Sequence, residues 1–290
     1  MEENSIQPNF LNELWIECVE LFYQAINHIG HRTIGEPKEF EIKTVQIALR
    51  KLPQTFSGFR IVQISDIHMG GWMNLERLQE VVDLVLMQKP DVVVITGDFL
   101  KGRGFTEVTK QRLKDLAIAL TPLAVAVPAF AVLGNHDYGT NPVAVREMLR
   151  RCKIKDLTNT VFTLTRNGRK LHFGGVDDVR HGDVRLDDVI AQLTGDVPAI
   201  LLAHEPDFAD VSAATGKFDL QISGHSHGGQ IVVPFYGPPR LPESGRKYPS
   251  GLYKVGNMVQ YTNRGVGMDR FAIRINCPPE ITIFILEKAG

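Results

Sequence analysis

Residues 59–68 read F-R-I-V-Q-I-S-D-I-H. Phe59 to Ser65 form a short, mainly apolar run of strand length, bounded upstream by the turn residues Pro53 to Gly58. The run ends in a carboxylate and an imidazole two residues apart, Asp66 and His68. The same arrangement recurs down the chain. Run 91–96 is followed by Gly97-Asp98, and run 127–133 by Gly134-Asn135-His136-Asp137. Run 199–203 is followed by His204, and run 219–223 by Gly224-His225-Ser226-His227. Helical periodicity covers 74–88, 107–120, 142–151 and 186–193 between these runs. Apolar strands alternating with helices predict an α/β fold with buried, largely parallel sheets. In such folds ligands collect just past the carboxyl ends of the strands, where each polar cluster stands.

The remaining segments fit around that unit. Residues 39–49 read as a first strand, 160–174 as a hairpin turning at Asn167-Gly168, and 252–287 as further strands. Residues 10–29 have helical period, with Leu11, Leu14, Trp15, Cys18, Val19, Phe22, Ile26 and Ile29 on one stripe and an acidic face opposite. That helix packs on the domain or on a second subunit, or lies in the plane of a membrane. Gly35-Glu36-Pro37 ends it. The expected organisation is an amphipathic helical extension over 1–37 and one catalytic domain over 38–290.

The chain has 290 residues, 43% hydrophobic and 22% charged, enough for a full core. A net charge of −1 gives no overall basic field, so nucleic acid is not an expected partner. The three cysteines, Cys18, Cys152 and Cys277, are far apart and form no C-x-x-C, which points to reduced thiols and a cytoplasmic setting. No basic leader and no run of 18 apolar residues is present, so neither a secretory signal nor a spanning helix is expected. Membrane contact, if made, would be peripheral, at the inner face, through residues 10–29.

A lone D-x-H or H-x-H occurs by chance in many proteins; five such clusters in succession, each at a strand end, do not. Asp137 apart, they offer two carboxylates, one carboxamide and several imidazoles, with no thiolate. Mixed oxygen and nitrogen donors suit Mn²⁺, Fe or Zn²⁺. The donors are too many for one tetrahedral ion and about right for two. Paired ions generate hydroxide at neutral pH and clamp the attacking and leaving oxygens of a phosphoryl displacement. Asp98, with two oxygens, is the natural bridge. The glycines around His225 and His227 let the backbone approach such a centre closely.

With D-x-H (66–68), G-D (97–98), G-N-H-D (134–137), His204 and G-H-S-H (224–227), the chain resembles the calcineurin-like metallophosphoesterases over about residues 58–290. The resemblance implies a four-layer α-β-β-α sandwich. It implies one divalent ion held by Asp66, His68, Asp98 and His227, and another by Asp98, Asn135, His204 and His225. His136 would protonate the leaving oxygen or stabilise the phosphate, and Asp137 would orient its ring. A metal-bridging hydroxide would attack phosphorus in line. The sequence departs from the usual pattern at Ser226, where threonine is common, and no ligand position is affected. Lys101 and Asp137 stand where the protein phosphatases of the superfamily carry other residues, which excludes that branch. G-G-Q (228–230), G-R-K-Y-P-S-G-L-Y (245–253), N-R-G-V-G (263–267) and P-E-I (279–281) resemble a bacterial membrane-linked branch. That branch contains phosphodiesterases and a UDP-2,3-diacylglucosamine pyrophosphatase.

The expected function is therefore dinuclear phosphoester hydrolysis, as a phosphodiesterase or pyrophosphatase. The substrate would be a phosphorylated small molecule or a lipid-linked or nucleotide-sugar-lipid compound. Arg240, Arg246 and Arg264 lie in loops near the histidine pair and are candidates for gripping its phosphate. Trp72, Met73, Pro234, Phe235 and Tyr236 are candidate rim residues or plain packing. Two alternatives are a non-catalytic scaffold of the same fold, which would have lost a ligand, and a nuclease, which would want a basic groove.

Overall fold

Valine and isoleucine fill the strands because both faces of each sheet are covered. In β3 (Val92–Thr96) every residue is buried. Val93 and Ile95 point to one side, into a core shared with helices, while Val92 and Val94 point to the other, into a core shared with a second sheet. The computed structural model describes residues 37, 39–269 and 272–290. The amphipathic segment expected over 10–29 lies outside the described residues.

The first sheet contains β1 (Glu41–Leu49), β2 (Arg60–Ile64), β3, β4 (Ala129–Val132), β5 (Lys155–Asp156) and β12 (Glu280–Lys288), in the order β1-β12-β2-β3-β4-β5. Only the β12–β2 pairing is antiparallel. The second sheet contains β6 (Thr160–Arg166), β7 (Arg169–Gly175), β8 (Ala199–Leu202), β9 (Leu220–Ser223), β10 (Gly251–Val255) and β11 (Met258–Thr262), in the order β10-β11-β9-β8-β7-β6. Its centre, β11-β9-β8-β7, is parallel, and hairpins close both edges. Phe56, Phe130, Phe173, Ile222, Tyr261 and Phe284 fill the space between the sheets.

Helices α1 (Leu75–Met87), α2 (Glu107–Ala126) and α4 (Pro142–Arg151) cover the outer face of the first sheet. Helices α5 (Leu186–Gln192) and α6 (Ala209–Ala214) cover that of the second. The result is the expected α-β-β-α sandwich. Local sequence starts the helices. Asn74 accepts from Arg77 N, Thr106 from Thr109 N and Asn141 from Ala144 N. Helix α2 was expected to stop at residue 120, and it runs on through Pro122 to Ala126. Burial of Leu116, Ala119, Leu120 and Leu123 along one stripe outweighs the roughly 3 kcal/mol that an interior proline costs. Among the described residues no helix is long and apolar enough to cross a membrane. Cys152 and Cys277 are buried free thiols.

What positions the site is the joining of the two sheets at their carboxyl ends. Gln63 turns inward from β2, and its Nε2 donates to Thr96 Oγ1 of β3 (2.8 Å) and to the carbonyl of Ser223 at the end of β9 (2.9 Å). Thr96 in turn donates to Ser65 Oγ at 2.7 Å. Three strand ends from two sheets are thereby fixed within hydrogen-bond reach of one another.

Candidate metal centre

Asp66 and His68 follow β2, Asp98 follows β3, His204 follows β8, and His225 and His227 follow β9. Asn135 opens the short helix α3 (Asn135–Thr140) after β4. Ladder bonding continues beyond the strands: Asp66 N donates to Gly97 O, His68 N to Asp98 O and Met69 N to Phe99 O. Asp66, His68, Asp98, His225 and His227 all have positive φ, between 47° and 69°. Non-glycine residues adopt this region rarely, and clusters of such residues mark functional sites. Two glycines make the close packing feasible. A Cβ on Gly134 would stand 2.7 Å from His204 Nε2 and collide with Asp98, and one on Gly224 would run into Ser65 and Asp66.

The motif side chains converge in two buried groups, Asp66–His68–His227 and Asp98–His204–His225, and His68 also meets His136 and Asp269 in a third, partly buried one. In the first, His68 Nε2 is 3.0 Å from His227 Nε2, which is 3.5 Å from Asp66 Oδ1. In the second, His225 Nδ1 is 3.2 Å from His204 Nε2, which is 3.3 Å from Asp98 Oδ2. The same Asp98 Oδ2 is 3.5 Å from His68 Nε2 and so touches both buried groups. Donor atoms about 2.1 Å from one ion would be separated by similar distances.

Hydrogen bonding tests whether these residues fit divalent ions. His204 Nδ1 lies 2.6 Å from the Thr96 carbonyl, and His225 Nε2 lies 2.8 Å from the Glu243 carbonyl. A carbonyl only accepts, so both of those nitrogens carry hydrogen. In neutral rings the facing atoms, His204 Nε2 and His225 Nδ1, are then both lone pairs. Asn135 lines the same cleft as His225, and among the described residues its buried Oδ1 has no hydrogen-bond partner. Lone pairs turned on one another next to a carboxylate call for a cation, and the residues fit one.

The protonation pattern of the protein alone agrees. Burial lowers the imidazole of His68 to about 4 and that of His225 to about 3, and holds His227 well below the ordinary histidine value. Burial would also lower His204, but Asp98 beside it outweighs burial and holds it well above. Asp98 is the reverse: burial raises it, and His204, His136 and His68 together hold it well below the carboxylate range. Burial pushes Asp66 up to about 6. Without a metal, the surroundings favour a proton on His204 and raise the proton affinity of Asp66 and of the buried Asp137, while burial keeps His68, His225 and His227 neutral.

His136 lies at the edge of this centre, its ring edge-on to His68 with centroids 4.7 Å apart. Asp137, expected to orient it, does something else. Its Oδ1 accepts from Phe99 N (2.9 Å) and Leu100 N (3.2 Å), and its Oδ2 from Gly134 N (3.0 Å). It braces the loop after β3 against the start of α3. The carboxylate facing His136 is Asp269, whose Oδ1 lies 3.6 Å from His136 Nε2. No motif signalled Asp269. It is placed by Gln230, whose Oε1 accepts from Asp269 N (2.8 Å) and whose Nε2 donates to Ile273 O (3.1 Å).

Above the centre opens a cleft of about 1370 Å³, lined by Asn135, His136, His225 and His227 at its floor. Lys101, Arg103, Arg180, Arg240 and Arg246 line its walls, against the acidic Glu243 and Asp269. Arg240 and Arg246 thus stand where a substrate phosphate could be met. Arg264 does not line the cleft. Its guanidinium donates to Glu280 (2.5 Å) and Glu41 (2.8 Å), so its fork is committed to the β1–β12 edge. Lys101, Arg103 and Arg180 were not singled out as wall residues by the sequence, and a net charge of −1 concealed this concentration of positive charge.

Comparison with known proteins bears on the same residues. The family described as calcineurin-like phosphoesterase matches residues 59–229. YkuE of Bacillus subtilis, an uncharacterised metallophosphoesterase, is 34% identical over 270 residues, covering 90% of this chain and 90% of that protein. Phosphodiesterase YaeI of Escherichia coli is 30% identical over 269 residues, covering 89% of this chain and 92% of that protein. A transmembrane protein with a metallophosphoesterase domain from Danio rerio is 31% identical over 267 residues, covering 86% of this chain and 58% of that protein.

Proposed function

The chain belongs to the calcineurin-like phosphoesterase family and is a metal-dependent phosphoester hydrolase; from that premise we propose a phosphodiesterase with a two-metal centre. Asp66, His68, Asp98 and His227 would hold one ion, and Asp98, Asn135, His204 and His225 the other. The observation carrying this reading is the placement of Asp98 Oδ2 within 3.5 Å of a histidine nitrogen from each group. Residues 38–290 form the hydrolase domain in this reading.

Two divalent ions supply a nucleophile at neutral pH and Lewis-acid stabilisation of phosphoryl charge. The chain's own residues do the rest. His136, its side chain 24% exposed at the cleft floor, donates a proton to the departing oxygen. Asp269 fixes the orientation of that ring. Arg240, Arg246 and Lys101 meet the phosphate charge from the walls. Lys101 is half-buried, and burial lowers its ammonium below the usual lysine value. The cleft is roomier than a lone phosphate requires, which supports a diester with two sizeable substituents. The phosphodiesterase name of the Escherichia coli relative supports the same class.

The test is hydrolysis of bis-p-nitrophenyl phosphate by protein reconstituted with Mn²⁺, Fe²⁺ or Zn²⁺, with and without chelator. Turnover abolished by chelation and restored by metal is expected. Protein that binds the ions yet hydrolyses no phosphoester would overturn the reading in favour of a scaffold.

A further inference from the structure

Directly after the histidine loop the chain forms a tight hairpin. Val233 N donates to Gly237 O and Gly237 N to Val233 O, both at 2.9 Å, and Tyr236 N donates to Val233 O at 3.1 Å. Its base is pinned to the segment beneath: Val232 N donates to Ile275 O (2.9 Å) and Asn276 Nδ2 to Val232 O (3.0 Å). At the tip stands Phe235, with φ 65° and a relative exposure of 112%. Tyr236 beside it is 56% exposed.

Both features of Phe235 run against the ordinary placement of a phenylalanine. A bulky side chain at positive φ is a genuine outlier, and a turn of this kind is filled at least cost by Gly or Asn. Full exposure gives up the burial that makes an aromatic stabilising. Among the described residues no packing compensates for either, which leaves the ring available to a partner surface. The hairpin also adjoins the cleft, because the residues that follow it directly, Pro238 to Pro242, line the wall. The walls carry Lys101, Arg103, Arg180, Arg240 and Arg246 against Glu243 and Asp269, while the whole chain has a net charge of −1.

An exposed aromatic tip on a hydrogen-bonded turn, next in the chain to a cleft wall that carries more basic than acidic side chains, has the chemistry of an interfacial anchor for a negatively charged lipid surface. We propose that the Val233–Gly237 hairpin inserts Phe235 into an anionic bilayer surface and so sets the mouth of the cleft against the membrane. The proposal takes the cleft as the substrate site from the hydrolase reading. Docking needs no turnover, however, so the two fail separately.

The experiment is flotation of the full chain with vesicles of equal parts phosphatidylcholine and phosphatidylglycerol, and with vesicles of phosphatidylcholine alone. Wild type should float with the anionic vesicles, more weakly with the neutral ones, and less in high salt, since wall charges are screened. Phe235→Ser should lose most of this flotation while hydrolysing bis-p-nitrophenyl phosphate as wild type does. Phe235→Trp should float and shift its added emission to the blue on meeting vesicles. Wild type that does not float overturns the proposal. So does Phe235→Ser that floats as well as wild type, which would place any membrane contact elsewhere, with residues 10–29 the first candidate. Unshifted emission from Phe235→Trp overturns it too. Flotation without turnover on any phosphoester would sink the hydrolase reading and leave the docking intact.

Discussion

His204 Nε2 and His225 Nδ1 face each other across 3.2 Å, and the opposite nitrogen of each ring is tied to a backbone carbonyl. Neither ring can turn its N–H inward without breaking its carbonyl bond. The pair is stable only with a proton or a metal between its lone pairs and Asp98, so protons and metals compete for one place.

That competition has a sign. In the metal-free protein His204 is held well above the ordinary histidine value, and Asp66 is raised to about 6. At pH 5 both carry a proton, whereas His68 and His225, lowered to about 4 and 3, are largely neutral. Metal binding at pH 5 should therefore release roughly two protons, and fewer at pH 7.5, where Asp66 is already ionised. Affinity should rise with pH. Titration calorimetry in buffers of different ionisation enthalpy measures the release, and a value unchanged between the two pH values would contradict the assignment. The same shifts act on the metal-free fold. His68 and His225 have folded values below the unfolded 6.5, so the unfolded chain binds their protons first and their contribution to stability is lost as pH falls below about 6.5. Asp66, raised, works in the opposite direction between about 4 and 6.

Bridge and acid separate by substitution. Asp98→Asn removes the charge shared by both groups and should lower metal content of both ions. His136→Ala should keep both ions and lower kcat by roughly 10²–10⁴-fold, the range for loss of a general acid. Metal analysis beside turnover distinguishes them, and an empty site in His136→Ala would make that residue a ligand.

Asp269 should act only through His136. Asp269→Asn keeps the shape and weakens the pull on the ring, so kcat should fall by about 10–100-fold, the scale for an outer partner of a functional histidine, with KM little changed. The double variant His136→Ala/Asp269→Asn should be no slower than His136→Ala alone. Additive losses would show Asp269 working independently, for instance on the substrate.

The candidate ligands were legible because each is next in sequence to a strand end, and parallel strands bring their carboxyl ends together by construction. Asp269 was not, since its position depends on Gln230 reaching across from the histidine loop. Asp137 misled through adjacency to His136. Consecutive residues on a helix point in different directions, and in α3 one side chain faces the cleft while its neighbour faces the core. Arg264 looked available because its partners, Glu41 and Glu280, are remote in sequence and meet only through the β1–β12 pairing. Total charge was uninformative about the cleft, because a sum over 290 residues erases a local excess.

Arg274 is the residue whose loss should show how the loop carrying Asp269 is held. It is 6% exposed, and among the described residues it has no carboxylate partner. Burial lowers its guanidinium to about 10, still above neutral pH, so it stays charged. Its Nη2 donates to the carbonyls of Arg264 (2.7 Å), Gly265 (3.1 Å) and Gly267 (2.7 Å), and its Nη1 to Cys277 O at 3.2 Å. Nη2 also lies 3.4 Å from His227 Nδ1, so one guanidinium ties the segment after β11 to the histidine loop. Arg274→Met would leave several carbonyls buried without a donor, at about 1–3 kcal/mol each where water cannot enter. The metal-free protein should unfold at clearly lower urea, and metal content should fall because His227 loses its backing. Arg274→Lys keeps the charge and reaches fewer carbonyls, so it should fall between the two in both measurements. If Arg274→Met unfolds like wild type and keeps its metals, the guanidinium is not what holds the loop, and the placement of Asp269 must rest on Gln230 alone.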